Sequence, residues 1–335
     1  KTDTYFEKQN TRTRGWVRID RLSGLYTLTL VLALTGITSV PAGAFDTNSP
    51  QTGTPQVQLV SINRTGTNGG NDFSNAPVLS ADGRFIAFVS GASDLVANDT
   101  NGTSDVFVRD LQTGTTRLAS INHAGTDSGN GASSVRNPSE PHFSLERPAI
   151  SADGRFVAFY SYASDLVVND SNGDGDLFVR DLQTETTILV SVNKLGTNSG
   201  NGDSISPVSG SPAISTDGRF VAFSSAASDL VTSDTNGAVD VFVRDLQTGT
   251  TTLVSVNKLG TNSGNSDSVS PQLSPDGRFV AFSSAASDLV ANDTNGERDV
   301  FVRDLQTGTT TLVSVNKAGT NSGNGYSVYP QLSAD

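Results

Sequence analysis

The tetrapeptide Asp-Gly-Arg-Phe begins at Asp82, Asp153, Asp217 and Asp276, and its first residue returns at Asp335. The spacings are 71, 64, 59 and 59 residues, so the basic unit is about 59 residues long and the first two copies carry insertions, one of them Val135 to Arg147. A unit repeated in this way is one supersecondary module whose apolar faces are buried only by its neighbours. By length alone 335 residues would allow two average domains, but a repeat overrides that count and predicts one repetitive domain over residues 57–335.

Within the last full unit four strand-like segments are legible: Ser270–Ser274, Arg278–Ser284, Asp299–Leu305 and Thr310–Asn316. Each alternates apolar and polar residues and is bounded by turn formers, Pro275-Asp276-Gly277 and Gln306-Thr307-Gly308 among them. With 33 Gly and 12 Pro, and short Val and Phe runs between polar stretches, the composition favours strands joined by turns. Four short antiparallel strands per unit make one propeller blade, so the expected class is all-β, with four full blades of an incomplete ring in view. The phenylalanines Phe279, Phe282 and Phe301, with Phe85, Phe88 and Phe107, Phe156, Phe159 and Phe178, and Phe220, Phe223 and Phe242, are expected to pack against the next blade. Val57–Asn63 matches a fourth strand and is expected to complete the final blade's sheet, leaving no raw edge.

The phrase SPQLSPDGRFVAFSS followed by RDVFVRDLQTGTTTLVS resembles the repeats of TolB-like propellers, and the resemblance extends over residues 57–335. It implies a fold; function is not carried with it. This chain departs from the family in the link between second and third strands, which is longer and acidic.

That link reads Asp-Leu-Val-x-x-Asp-x-Asn-Gly-x-x-Asp in every unit. It places Asp94, Asp99, Asn101 and Asp105 in the first copy, and Asp165, Asp170, Asn172 and Asp176 in the second. The third copy holds Asp229, Asp234, Asn236 and Asp240, and the fourth Asp288, Asp293, Asn295 and Asp299. Hard cations take carboxylate, amide and carbonyl oxygens from a loop that turns sharply, usually at Gly. The pattern is similar to the centre of EF-hand-like loops, although Ala97, Val168, Thr232 and Ala291 stand where the first ligand belongs and no bidentate Glu follows. Asp94, Asp165, Asp229 and Asp288 are alternative first ligands. The competing account is an Asn-Gly turn with an Asx bond at Asp99, which leaves the crowding of like charges unexplained. The expectation is therefore Ca²⁺, in weak sites with Kd of roughly 10⁻⁴ to 10⁻³ M.

The N-terminus carries Arg14, Arg18 and Arg21, then the apolar run Leu25–Val40, then Ala42-Gly43-Ala44. This layout predicts a secretory signal peptide over residues 1–44, a linker over 45–56 and an exported protein: periplasmic, cell-surface or extracellular. An uncleaved membrane anchor is the alternative, the run being slightly shorter than the roughly 20 residues a span needs. Cleavage would remove 6 bases and 3 acids, leaving 16 Lys plus Arg against 31 Asp plus Glu. Such a surface repels nucleic acid and anionic lipid and attracts cations. With no Cys there are no disulfides or thiolate sites. The lack of Met, and an end inside the repeated phrase, predict that the chain is part of a longer protein.

Catalysis has little support. The two histidines, His123 and His142, have no repeated partner, Trp16 is the only Trp, and there is no Gly-x-Ser-x-Gly. The recurring Gly-Thr-Asn-Ser-Gly-Asn, at Gly196, Gly260 and Gly319, lacks the Lys-Ser/Thr of a phosphate loop and reads as an inter-blade turn. The expected function is a non-enzymatic binding or structural module at the cell envelope, with a protein or envelope ligand as partner. The alternative is the propeller part of a larger enzyme, such as a serine peptidase, whose catalytic domain lies outside this sequence.

Overall fold

The computed structural model describes residues 33–34, 56–134, 146–204 and 210–333. The signal and linker expectations, the Val135–Leu145 part of the first insertion and His142 fall outside them, apart from the short strands β1 (Ala33–Leu34) and β2 (Gln56–Val57), which pair with each other. The blades lie in the compact unit Leu59–Asp335.

Four antiparallel four-stranded sheets follow in sequence. Blade 1 comprises β3 (Ser74–Leu79), β4 (Phe85–Ser90), β5 (Asp105–Asp110) and β6 (Thr115–Leu118). Blade 2 comprises β7 (Ala149–Ile150), β8 (Phe156–Ser161), β9 (Asp176–Asp181) and β10 (Thr186–Leu189). Blade 3 comprises β11 (Ala213–Ile214), β12 (Phe220–Ser225), β13 (Asp240–Asp245) and β14 (Thr250–Leu253). Blade 4 comprises β15 (Ser268–Leu273), β16 (Phe279–Ser284), β17 (Asp299–Asp304) and β18 (Thr309–Leu312). Strand order within each sheet is the chain order, as successive hairpins require.

The second and third strands are covered on both sides, which is why Phe-Val-Ala-Phe and Val-Phe-Val run almost without polar interruption. Across that pair Phe88 stacks on Phe107, Phe159 on Phe178, Phe223 on Phe242 and Phe282 on Phe301, with centroids 5.8, 6.2, 5.7 and 5.8 Å apart. Their direction corrects the sequence reading. Phe282 and Phe301 pack on Ala222, Val241, Val243 and Val254 of the preceding blade, and Phe223 with Phe242 do the same on blade 2. Only the first phenylalanine of the strand faces the next blade. Residues three apart in a strand project from opposite faces, so Phe279 and Phe282 cannot share one neighbour.

The outward phenylalanine explains the anchor glycine. A Cβ on Gly154 would lie 2.1 Å from the Phe85 ring, one on Gly218 2.1 Å from Phe156, and one on Gly277 2.3 Å from Phe220. Each of the three also has φ of 73°, a left-handed conformation that other residues rarely adopt. Backbone bonds chain the anchor turns together: Ala81 N–H to Ala152 O, Ala152 N–H to Thr216 O and Thr216 N–H to Pro275 O.

The segment Val57–Asn63 adds no strand to the four blades. Among the described residues it joins no blade sheet: Val57 pairs with Ala33, and Ile62 bridges Gly69 within a small hairpin. That hairpin recurs as the Val192–Ser199, Val256–Ser263 and Val315–Ser322 bridges, so the Gly-Thr-Asn-Ser-Gly-Asn phrase is the inter-blade turn. The fourth strands also end early, at Leu118, Leu189, Leu253 and Leu312.

Candidate functional site

Each third strand begins and ends on an aspartate, and the two ends are built differently. At the far end Asp110 receives Arg84 in a bidentate pair, Nε to Oδ1 at 3.1 Å and Nη2 to Oδ2 at 2.7 Å. Asp110 Oδ1 also accepts the Gln112 and Thr113 N–H groups, and Arg84 lies over the Phe85 ring at 4.7 Å. Arg155–Asp181, Arg219–Asp245 and Arg278–Asp304 repeat the clamp. The Arg84 hydrogen bonds hold the Asp110 carboxyl down at about 2, and the matching arginines depress Asp181, Asp245 and Asp304 likewise.

At the near end no base enters. Asp105, Asp176, Asp240 and Asp299 are fully buried at the strand start. One oxygen of each accepts a serine hydroxyl from the exit of the fourth strand: Ser120 at 2.6 Å, Ser191 at 2.5 Å, Ser255, and Ser314 at 2.5 Å. The other oxygen of Asp176, Asp240 and Asp299 has no hydrogen-bond partner; only in blade 1 does Asn101 Nδ2 reach Asp105 Oδ2, at 2.7 Å. Beside each lies the second acid of the link. Asp99, Asp234 and Asp293 are 5%, 6% and 8% exposed, and at least one oxygen on each, as on Asp170, lacks a partner. The nearest hydroxyl, Ser263 Oγ, is a long 3.4 Å from Asp234 Oδ1 and already accepts the Thr235 N–H.

Burial, with the neighbouring acid's charge behind it, pushes Asp105 and Asp240 up to about 7 and Asp176 up to about 8. Burial also raises Asp99, Asp170, Asp234 and Asp293. Two buried carboxylates side by side oppose each other's ionisation. In blades 1 to 3 the arrangement favours a proton or a cation between the two acids.

The remaining sequence candidates are held elsewhere. Asn101, Asn172, Asn236 and Asn295 donate Nδ2 to the carbonyls of Gly129, Gly200, Gly264 and Gly323 at 2.8, 2.8, 2.6 and 2.7 Å. Their Oδ1 atoms accept the N–H two residues on, as at Thr103 (2.8 Å) and Asp174 (2.9 Å), closing an Asx turn. The amide therefore stitches the link to the following hairpin, and its oxygen is already engaged. Asp94, Asp165, Asp229 and Asp288 do not join the pair: each Oδ1 accepts a backbone N–H of the preceding hairpin, at Asn71, Asn130, Asn201 and Asn265, all at 2.9 Å. Gly102 has φ of 69° with open space around it, so it serves the turn alone. Sequence reasoning missed the serine partners and the Arg–Asp clamps; the invariant 26-residue separation of Arg84 from Asp110, and of the later pairs, was the available signal.

What the structure brings together in each blade is a pair of aspartates with orphaned oxygens, hydroxyls from Ser120 and Ser128 or their equivalents, and no base. Among the described residues no group of three or more His, Cys, Asp and Glu side chains forms a metal cluster. Two carboxylates and a hydroxyl suit a hard cation that completes its shell with water or backbone carbonyls.

The chain is an all-β propeller of four-stranded blades. No family model matches it, and no curated protein does. Similar solved structures include TolB from Acinetobacter baumannii, 19% identical with a TM-score of 0.40, covering 72% of this chain and 43% of that one. A TolB from Agrobacterium tumefaciens described as putative is 15% identical with a TM-score of 0.37, covering 72% and 80%. The β-propeller domain of the Trilobed protease from Pyrococcus furiosus is 11% identical with a TM-score of 0.40, covering 72% and 57%. Likeness at this level concerns the fold at most, and the propeller assignment stands on the four sheets themselves. No helix of the described residues is long and apolar enough to cross a membrane.

Proposed function

We propose that this propeller is a non-enzymatic, exported binding or structural module of the cell envelope whose blades are fastened by Ca²⁺ at the paired aspartates. One observation supports the metal: in four successive blades two acids lie together with orphaned oxygens and, among the described residues, no base bonded to them, both acids being buried in blades 1, 3 and 4 and Asp170 half-buried in blade 2. Asp99 and Asp105, Asp170 and Asp176, Asp234 and Asp240, and Asp293 and Asp299 would hold the ion, with Ser128, Ser199, Ser263 and Ser322 at the margin. The asparagines would frame the loop without ligating. Bound there, Ca²⁺ supplies the charge that the link lacks and ties it to the following hairpin.

With two carboxylates per site the affinity belongs to the weak extracellular class, Kd of roughly 10⁻⁴ to 10⁻³ M. At a Ca²⁺ concentration about ten times Kd each site adds about 1.4 kcal/mol. Export is supported by the layout of residues 1–44. Thermal unfolding in EDTA and in millimolar Ca²⁺ tests the reading. Ca²⁺ should raise the Tm well beyond the effect of Mg²⁺, and equal melting temperatures would refute it.

A further inference from the structure

The third strand of every blade also carries an arginine without an ion-pair partner, buried in blades 1 and 2 and half-buried in blades 3 and 4. Arg109, Arg180, Arg244 and Arg303 each donate Nη1 to a fourth-strand threonine: Thr116 at 2.9 Å, Thr187 at 3.0 Å, Thr251 at 2.9 Å and Thr310 at 2.8 Å. Among the described residues none of the four makes an ion pair. Arg109 is only 8% exposed and its Nε has no hydrogen-bond partner. A guanidinium this buried, held by one neutral hydroxyl, is costly unless an anion joins it.

A second base converges on the same place. The residue after the first hairpin asparagine is Arg64, His123, Lys194 or Lys258, each pinned by its N–H to the carbonyl of Asp94, Asp165, Asp229 or Asp288 at 2.8 Å. Arg64 and Arg109 line one cleft of about 380 Å³ with Thr115 and Thr116. His123, Arg180 and Arg244 line another of about 560 Å³ with Thr186 and Thr187. Two bases and hydroxyls facing one cleft, in a chain with 34 acids against 22 bases, mark a place built for negative charge.

Blade 2 identifies the kind of group. Where the others have Gly114, Gly249 and Gly308 before the fourth strand, it has Glu185, held at φ of 58°, a conformation strained for a residue with a side chain. Its Oε1 lies 3.9 Å from Arg117 Nη1, and its charge acts on Arg180. In the other blades the glycine leaves the guanidinium open: Cβ atoms there would stand 3.7, 3.6 and 3.6 Å from Nη2 of Arg109, Arg244 and Arg303.

We propose that the cleft of blade 1 is an oxyanion site, in which Arg109 with Arg64 holds a carboxylate, sulfate or phosphate group, and that Arg244 with Lys194 and Arg303 with Lys258 repeat it at the equivalent positions of blades 3 and 4. Glu185 fills the equivalent place in blade 2. The site is independent of the paired aspartates and of Ca²⁺.

The test titrates inorganic sulfate into the ¹⁵N-labelled full chain at constant ionic strength in EDTA, following the arginine Nε–H resonances. Saturable shifts are expected at Arg109, Arg244 and Arg303 but not at Arg180. Arg64→Gln, on the exposed hairpin, should weaken binding in blade 1 by about five-fold or more, since a charge-assisted pair is lost, and leave the other blades unchanged. Gly249→Glu should abolish the response of Arg244, and Glu185→Gly should create one at Arg180. A parallel titration with dextran sulfate separates the sources: tighter binding than free sulfate assigns the anion to a polymer, and equal binding assigns it to a free ion. Shifts that stay linear in sulfate, or that Arg64→Gln leaves unaltered, would overturn the proposal.

Discussion

The two ends of the third strand set the same residue in opposite circumstances. Asp110, Asp181, Asp245 and Asp304 meet a bidentate arginine and two backbone N–H groups, whereas Asp105, Asp176, Asp240 and Asp299 meet a serine and another acid. The clamp is complete within the chain. The acid pair is complete only with something added, a proton or a metal ion. Recurrence alone therefore does not separate an aspartate that the chain fully partners from one that it leaves with an orphaned oxygen; the partner set does.

Titration should split the ends most widely. Clamp acids have depressed folded pKa values, so their stabilisation is full above about 4 and is lost as pH falls towards about 2, the value for Asp110. For Asp105, Asp176 and Asp240 the sign reverses. Their folded pKa values, about 7 for Asp105 and Asp240 and about 8 for Asp176, exceed the unfolded value. Between about pH 4 and those values the unfolded chain has released protons that the folded chain keeps, and stability falls as pH rises. In EDTA the Tm should thus peak in mild acid and decline towards pH 8, and Ca²⁺ should restore it at the alkaline side. Melting curves from pH 3 to 9, with and without Ca²⁺, check this; a Tm in EDTA that rises steadily to pH 8 would break the contrast.

Substitutions give the next largest effect. Asp181→Ala leaves Arg155 and the Gln183 and Thr184 N–H groups without their acceptor. Allowing for solvent at Arg155, it should cost about 1–2 kcal/mol, equally in Ca²⁺ and EDTA. Asp176→Asn should do the reverse: near neutral or mildly stabilising in EDTA at pH 8, because it removes one of two facing charges, and worse by about 1 kcal/mol in Ca²⁺. Chemical denaturation of the two variants under both conditions measures the crossover. Smaller still is Asn172→Ala, which loses the bond to Gly200 O and the Asx turn, for about 0.5–1.5 kcal/mol irrespective of metal.

The fold was legible in the sequence because repetition averages away local ambiguity: three copies of Phe-Val-Ala-Phe and one of Phe-Ile-Ala-Phe, flanked by the same turns, leave little besides a blade. One detail was not legible. The facing of Phe279 and Phe282 needed the strand's two-residue period carried through to the stacking of sheets. Of the site, the Asp99 and Asp105 types stood out because a turn does not account for acids crowded beside it. Asp94 seemed to belong with them by proximity in sequence, yet its partner is the N–H of Asn71, 23 residues earlier. Ser120 and Ser128 were invisible for the same reason: Ser120 reaches Asp105 from 15 residues along the chain, and Ser128 accepts the Thr100 N–H, next to Asp99, from 28. Side chains that meet across blades leave no mark on the sequence between them.

Counting bound metal tests the central claim most directly. Equilibrium dialysis of the full chain against ⁴⁵Ca²⁺ at pH 8 and about 10 mM, roughly ten times the weakest Kd expected, should find close to one ion per blade. The variant Asp105→Asn, Asp176→Asn, Asp240→Asn and Asp299→Asn should bind almost none while remaining folded in EDTA. Binding of less than one ion per chain by the unmodified protein, or undiminished binding by the variant, would contradict the account.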